Sequence, residues 1–348
     1  VYVAAADPLG PAFLLALGAS AALFALARLA WPRIGWLIVV AAGYAVPLLV
    51  ASAIESTPPL FSAAPWALAA LYAGLWAGLA ALGRAPLQRG VSWAHLAALL
   101  ALGTGLALDA AVRLDERDSL GAAWVMLAVA GPFVVLVLGL ALAPRACAFP
   151  LATPWPHYRT RVQSGLGLVL GALLVVGLFG HGDPAPLPYL PLLNPLDASL
   201  LGLLGLISWL ARPAAPQVGN WLVALWRLVL PPAAFVVVSN LALRGVHHLA
   251  GLPWSIDLLD ARVSQTTLTV VWCVCGVVAW VVGSRRGSRP LWTAGAVLMG
   301  IVLLKLIVVD RNYVGNLPGI VSFVAVGVLL IVVGYLAPSP PRAAAAPR

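Results

Sequence analysis

Charge is what this sequence has least of. Asp, Glu, Lys and Arg together make up 9% of its 348 residues, against about a quarter in soluble globular chains. With 62% hydrophobic residues and a mean hydropathy of +1.01, the chain cannot hide its apolar surface in a water-soluble core. A soluble enzyme or binding domain is thereby excluded, and an integral membrane protein remains. The net charge of +9 does not point to nucleic acid, because no basic run with interleaved aromatics tracks a phosphate backbone. Cysteine is equally sparse. Cys273 and Cys275 are two apart on an expected helix and point to different faces, and Cys147 falls in a loop expected in the cytoplasm. No disulfide framework is expected. No tight metal or catalytic spacing such as HExxH is present, no cofactor is implied, and no internal repeat is evident. The start Val1-Tyr2-Val3 has no basic n-region, so it is not read as a signal peptide, and the chain is expected to be a fragment or a processed product.

What is abundant is apolar sequence in runs bounded by Pro, Gly and charge. About eleven such runs fall at 11–30, 34–53, 63–83, 91–112, 120–143, 163–180, 196–211, 219–243, 265–284, 290–309 and 318–337. Most have the ~20 residues a helix needs to cross a ~30 Å hydrocarbon core. The expected fold class is all-α: a single polytopic transmembrane helical bundle over 1–348, with short connections.

Orientation follows from the arginines. The last stretch has Arg285, Arg286 and Arg289 before one apolar run, a polar turn from Asp310 to Tyr313, and a second run ending near Arg342. Lys and Arg are retained on the cytoplasmic side, so the arginine triplet and the tail are expected inside and Asp310 outside. With the N-terminus outside and the C-terminus cytoplasmic, thirteen arginines fall inside and five outside; Arg227 and Lys305 lie within spans, completing the twenty basic residues. All eleven acidic residues then fall on or near the outer face. Trp31, Trp36, Trp93, Trp209, Trp221 and Trp292 mark the inner boundary, and Trp66, Trp124 and Trp254 the outer one.

Few residues carry visible chemistry. The outer loop 181–197 holds Pro184, Pro186, Pro188 and Pro191, expected to stiffen it into a polyproline-like strap. Asn194-Pro195-Leu196-Asp197 then reads as a helix start: a cap, a proline at the first helical position and a carboxylate at the positive end of the dipole. Asp109 and Arg113 are four apart in the right order for a helix ion pair. The charged turn that follows offers Asp115 and Glu116 as weak catalytic candidates. Asp257 and Asp260 are two more, on an expected amphipathic surface helix from Trp254 to Ser264. His247 and His248 are weak metal candidates; a loop histidine pair beside a solvated helix face is the better account of them. Arg227, Asn240 and Lys305 are the candidate substrate-binding residues. Arg227 lies about 12 Å along its span, and Pro231-Pro232 follows, expected to kink or break that helix. Lys305 is expected to snorkel outward toward Asp310. Gly167 and Gly171 read as a close-packing pair.

The stretches RPLWTAGAVLMGIVLLKLIVVD (289–310) and IVSFVAVGVLLIVVGYLAPSPPR (320–342) resemble the C-terminus of a bacterial predicted-membrane-protein family, domain of unknown function 2339. PLPYLPLLNPLD (186–197) and the Pro253-Trp254 loop are similar to it as well. The resemblance covers about 150–342, best over 187–342, and implies a C-terminal portion or a short member. It implies a bacterial inner-membrane protein with its outer face in the periplasm, and it brings no catalytic residues. The expected function is a non-enzymatic, transporter-like or scaffold protein of the cell envelope. The alternative is a periplasm-facing enzyme that transfers a lipid-linked sugar or acyl group. Expected partners are membrane lipids and other inner-membrane or periplasmic envelope proteins.

Overall fold

A computed structural model of the chain describes residues 91–115, 120–148, 158–212 and 218–308, with Ala22, Trp76, Ala80, Ile320, Val324, Gly327, Val328 and Ile331. Apart from those isolated positions, the expected spans 11–30, 34–53, 63–83 and 318–337 lie outside the described residues. So does Asp310.

Among the described residues all regular structure is helical, with no strand. The elements are α1 (Val91–Asp115), α2 (Ala122–Leu142), the short α3 (Pro144–Cys147), α4 (Tyr158–Gly177), α5 (Pro195–Leu210), α6 (Asn220–Ala250), a 3-10 turn (Ile256–Asp260), α7 (Arg262–Arg285) and α8 (Arg289–Val308). Each expected span within this region is a helix. Among the described residues, six helices are long and apolar enough to cross a membrane. The exception is α5, whose 16 residues reach only about 24 Å at 1.5 Å per residue.

The chain divides into two compact units, Val1–Leu230 and Pro231–Arg348. In the first, α2 packs on α1, α4 and α5, and α4 packs on α1 and α5. Leu140, Leu166, Leu170 and Leu200 are fully buried among them. Opposite faces stay apolar and exposed, as in Val135 (69%) and Leu142 (79%) on α2, the pattern of helices whose solvent is lipid. Gly167 meets the Trp226 ring, whereas Gly171 has open space beside it. Only the first of the expected pair is a packing contact.

In the second unit α7 and α8 form a tight hairpin around Cys273, Val277, Met299, Val302 and Leu306. Gly283 faces the backbone of Trp292, and Gly295 faces the backbone of Trp280, both closer than any Cβ tolerates. Small residues here let two backbones touch. The turn closes at Gly287, whose φ of +64 sits in the left-handed region, with Ser288 N–H donating to Gly283 O at 2.9 Å.

Two expectations are corrected. The helix α6 runs unbroken through Pro231 and Pro232. The expected break is therefore absent: each proline removes one donor, but helical backbone continues on either side, and a membrane offers no water to reward unwinding. The surface helix expected from Trp254 to Ser264 is instead a five-residue 3-10 turn ending at extended Ala261, after which α7 begins. Asp257 and Asp260 therefore lie on one element and buried Ser264 on the next.

Candidate functional site

Among the described residues, two groups of polar side chains bear on the expected sites. The first is the loop 178–194 of the first unit. It does not form a continuous polyproline strap. Turns close at Leu187 N–H to Pro184 O (3.1 Å) and at Asn194 N–H to Leu190 O (3.0 Å). The loop is nonetheless fixed. The Trp124 indole donates to Pro184 O (3.2 Å) and Ala185 O (3.0 Å). The N–H groups of Gly121 and Ala123 donate to Ala185 O and Asp183 O. The expected cap forms: Asn194 Oδ1 accepts from Leu196 N–H at 2.8 Å, and its amide donates to Gly182 O at 2.5 Å. Asp197 is fully buried in the first turn of α5, with the Tyr189 hydroxyl 3.4 Å away. Held this way, the loop presents Leu187, Leu190, Leu192 and Leu193 outward, the last 75% exposed.

The second place is the C-terminal half of α6 with the facing ends of α7 and α8. Asn240, Arg244 and His247 recur at helical spacing on α6. Arg244 is the largest fully buried side chain among the described residues, with its guanidinium carbon 5.9 Å from the Trp254 ring centroid, a cation–π distance. His247 Nδ1 bonds the Leu252 carbonyl, its ring lies 4.5 Å from that of His248, and Trp254 is 5.7 Å away. Gly251, at φ +67, ends α6 and turns the chain back. On the other two helices, Lys305 Nζ donates to Thr269 Oγ1 (2.6 Å) and Gln265 O (3.2 Å). Trp272 Nε1 donates to Ser239 Oγ at 2.9 Å, tying α7 to α6.

The nine candidate residues are dispersed rather than gathered. Arg227 is exposed on the first part of α6, without a hydrogen-bond partner among the described residues. Asn240 and Lys305 both belong to the second unit, and Lys305 reaches back to α7. Asp257 and Asp260 are exposed. Asp115 is the last residue of α1, and Glu116 lies outside the described residues. His247 and His248 meet edge to face, and no group of three or more His, Cys, Asp or Glu able to hold a metal occurs among the described residues. The Asp109–Arg113 pair forms at 2.9 Å.

The family model described as Predicted membrane protein (DUF2339) matches residues 5–340. The chain belongs to that family. The likeness seen over 150–342 thus extends back almost to the first residue. No curated protein and no solved structure matches the chain.

Several buried polar groups have no counterpart among the sequence expectations, Arg244 and the His95–Tyr158 pair among them. Arg244 sits beyond the expected end of its span at 243; the i, i+4 spacing of Asn240, Arg244 and His248 is the one local sign that the helix continues. His95 and Tyr158, 63 positions apart, are also fully or almost fully buried and hydrogen-bonded at 2.7 Å. Nothing local announces such a pair.

Proposed function

We propose that the protein is a non-enzymatic scaffold of the bacterial cell envelope, seated in the inner membrane with its N-terminus outside and its C-terminus in the cytoplasm. The observation that carries this reading is the fixed loop 178–194. Its backbone is tied down by Trp124, Gly121, Ala123 and Asn194, while its leucines are exposed. Ordering entropy is thus already lost before a partner arrives, which favours binding. The unbroken α6 and the exposed Arg227 favour a scaffold over a transporter-like role.

The test is a photoreactive amino acid at Leu193 or Leu190 in cells. One protein adduct of discrete mass, lost when Trp124→Ala loosens the loop, supports the reading; adducts with lipid alone refute it. The transferase alternative keeps one favourable observation, the exposure of Asp257 and Asp260. Changed envelope polymer in Asp257→Asn, Asp260→Asn, Asp115→Asn or Glu116→Gln would favour it, and four silent substitutions would reject it.

A further inference from the structure

The second unit holds a groove of about 620 Å³ between α6, α7 and α8, within the range of about 300–1,000 Å³ usual for ligand sites. Its walls are Pro231 to Val238 on α6, Cys275 to Val282 on α7 and Leu291 to Ile301 on α8, apolar throughout. Val278 and Val297 are 54% and 56% exposed, so the groove is open along its length. From Leu291 to Ile301 is about 15 Å at 1.5 Å per residue, half of a ~30 Å hydrocarbon core and therefore the depth of one leaflet. One end has a distinct chemistry. Val282 and Leu291 are within a helical turn of Arg285, Arg286 and Arg289, all three exposed. No acidic residue occurs anywhere between Arg262 and Asp310 to neutralise them.

We propose that this groove binds one anionic phospholipid of the cytoplasmic leaflet, with an acyl chain along α6, α7 and α8 and the phosphate headgroup on Arg285, Arg286 and Arg289. Positive-inside sorting puts the arginine turn on the cytoplasmic side, where anionic headgroups and basic juxtamembrane residues meet. Pro231 and Pro232 contribute ring carbons and no N–H to the wall, and Ala234, Ala279 and Ala294 leave the width of a chain. The site rests on the same inner-membrane orientation but not on the scaffold loop, which belongs to the other unit.

The full chain in nanodiscs of phosphatidylcholine is mixed with phosphatidylglycerol bearing a mid-chain diazirine and irradiated. Adducts are expected on 275–282 and 291–301, competed by unlabelled phosphatidylglycerol and not by phosphatidylcholine. Adducts spread evenly over all apolar helices, or equal competition by both lipids, overturn the proposal. Replacing all three arginines by glutamine should weaken retention by about fivefold per residue, on the order of a hundredfold together. Ala294→Phe should lower retention with the arginines intact. If Ala294→Phe leaves retention unchanged and inorganic phosphate competes as well as the lipid, the arginines bind a free anion and the groove is not a lipid site. The wild-type adduct map keeps the test decisive should a variant fail to insert.

Discussion

Replacing Asn194 with alanine removes two hydrogen bonds from a side chain that is 2% exposed. The first is the cap on Leu196 N–H, whose loss costs about 1 kcal/mol in comparable helices. The second is the amide bond to Gly182 O, worth about 1 kcal/mol net, with a further penalty when a buried carbonyl is left without its donor. Together the loss should be about 2–3 kcal/mol. Asn194→Ser separates the two contributions. Serine is a good cap but does not reach Gly182, so about 1 kcal/mol should return. The exposed neighbour Leu193 supplies the control: Leu193→Ala should cost less than about 0.5 kcal/mol. Unfolding by sodium dodecyl sulfate in mixed micelles measures all three, and limited proteolysis within 181–193 reports the loop. An Asn194→Ala variant within about 0.5 kcal/mol of the parent, or an Asn194→Ser variant no better than alanine, would refute the claim that this side chain joins loop and helix.

The α7–α8 hairpin predicts a contrast between two glycines. Gly295→Leu drives a side chain into the Trp280 backbone and should cost about 2–4 kcal/mol in the same titration, whereas Gly300→Leu, with nothing within 4 Å, should be nearly neutral. Lys305→Met removes the bonds to Thr269 and Gln265 and should cost about 1–2 kcal/mol, a result that an unchanged midpoint would contradict. Burial pushes the Cys147 thiol above its ordinary range. Its alkylation by a maleimide should therefore lag a free cysteine at pH 8 and gain on it only as pH rises further.

Features set by neighbours along the chain are legible in the residues themselves. The cap at Asn194, the proline at position 195 and the Asp109–Arg113 pair all act over four residues or fewer, and each forms as expected. The apolar runs from 91–112 to 290–309 are legible too, because a helix is the one structure that satisfies a lone backbone segment in lipid. The span that contains Pro231-Pro232 departs from expectation because the rule that proline breaks a helix describes helices in water, where freed carbonyls find a partner. The stretch 254–264 departs from it because its helical periodicity continues across Ala261, where the backbone turns extended.

Composition and the length of the apolar runs suffice to say that the chain lives in a membrane as helices, since hydrocarbon thickness and the need to satisfy the backbone within it leave few alternatives. Folding alone decides that Arg244 is buried, that His95 meets Tyr158, and that Pro231, Val282 and Leu291 line one apolar groove. Each of these depends on which helix faces stand opposite one another. Hydropathy cannot supply that information, because lipid and a neighbouring helix are equally apolar surroundings for the same side chain.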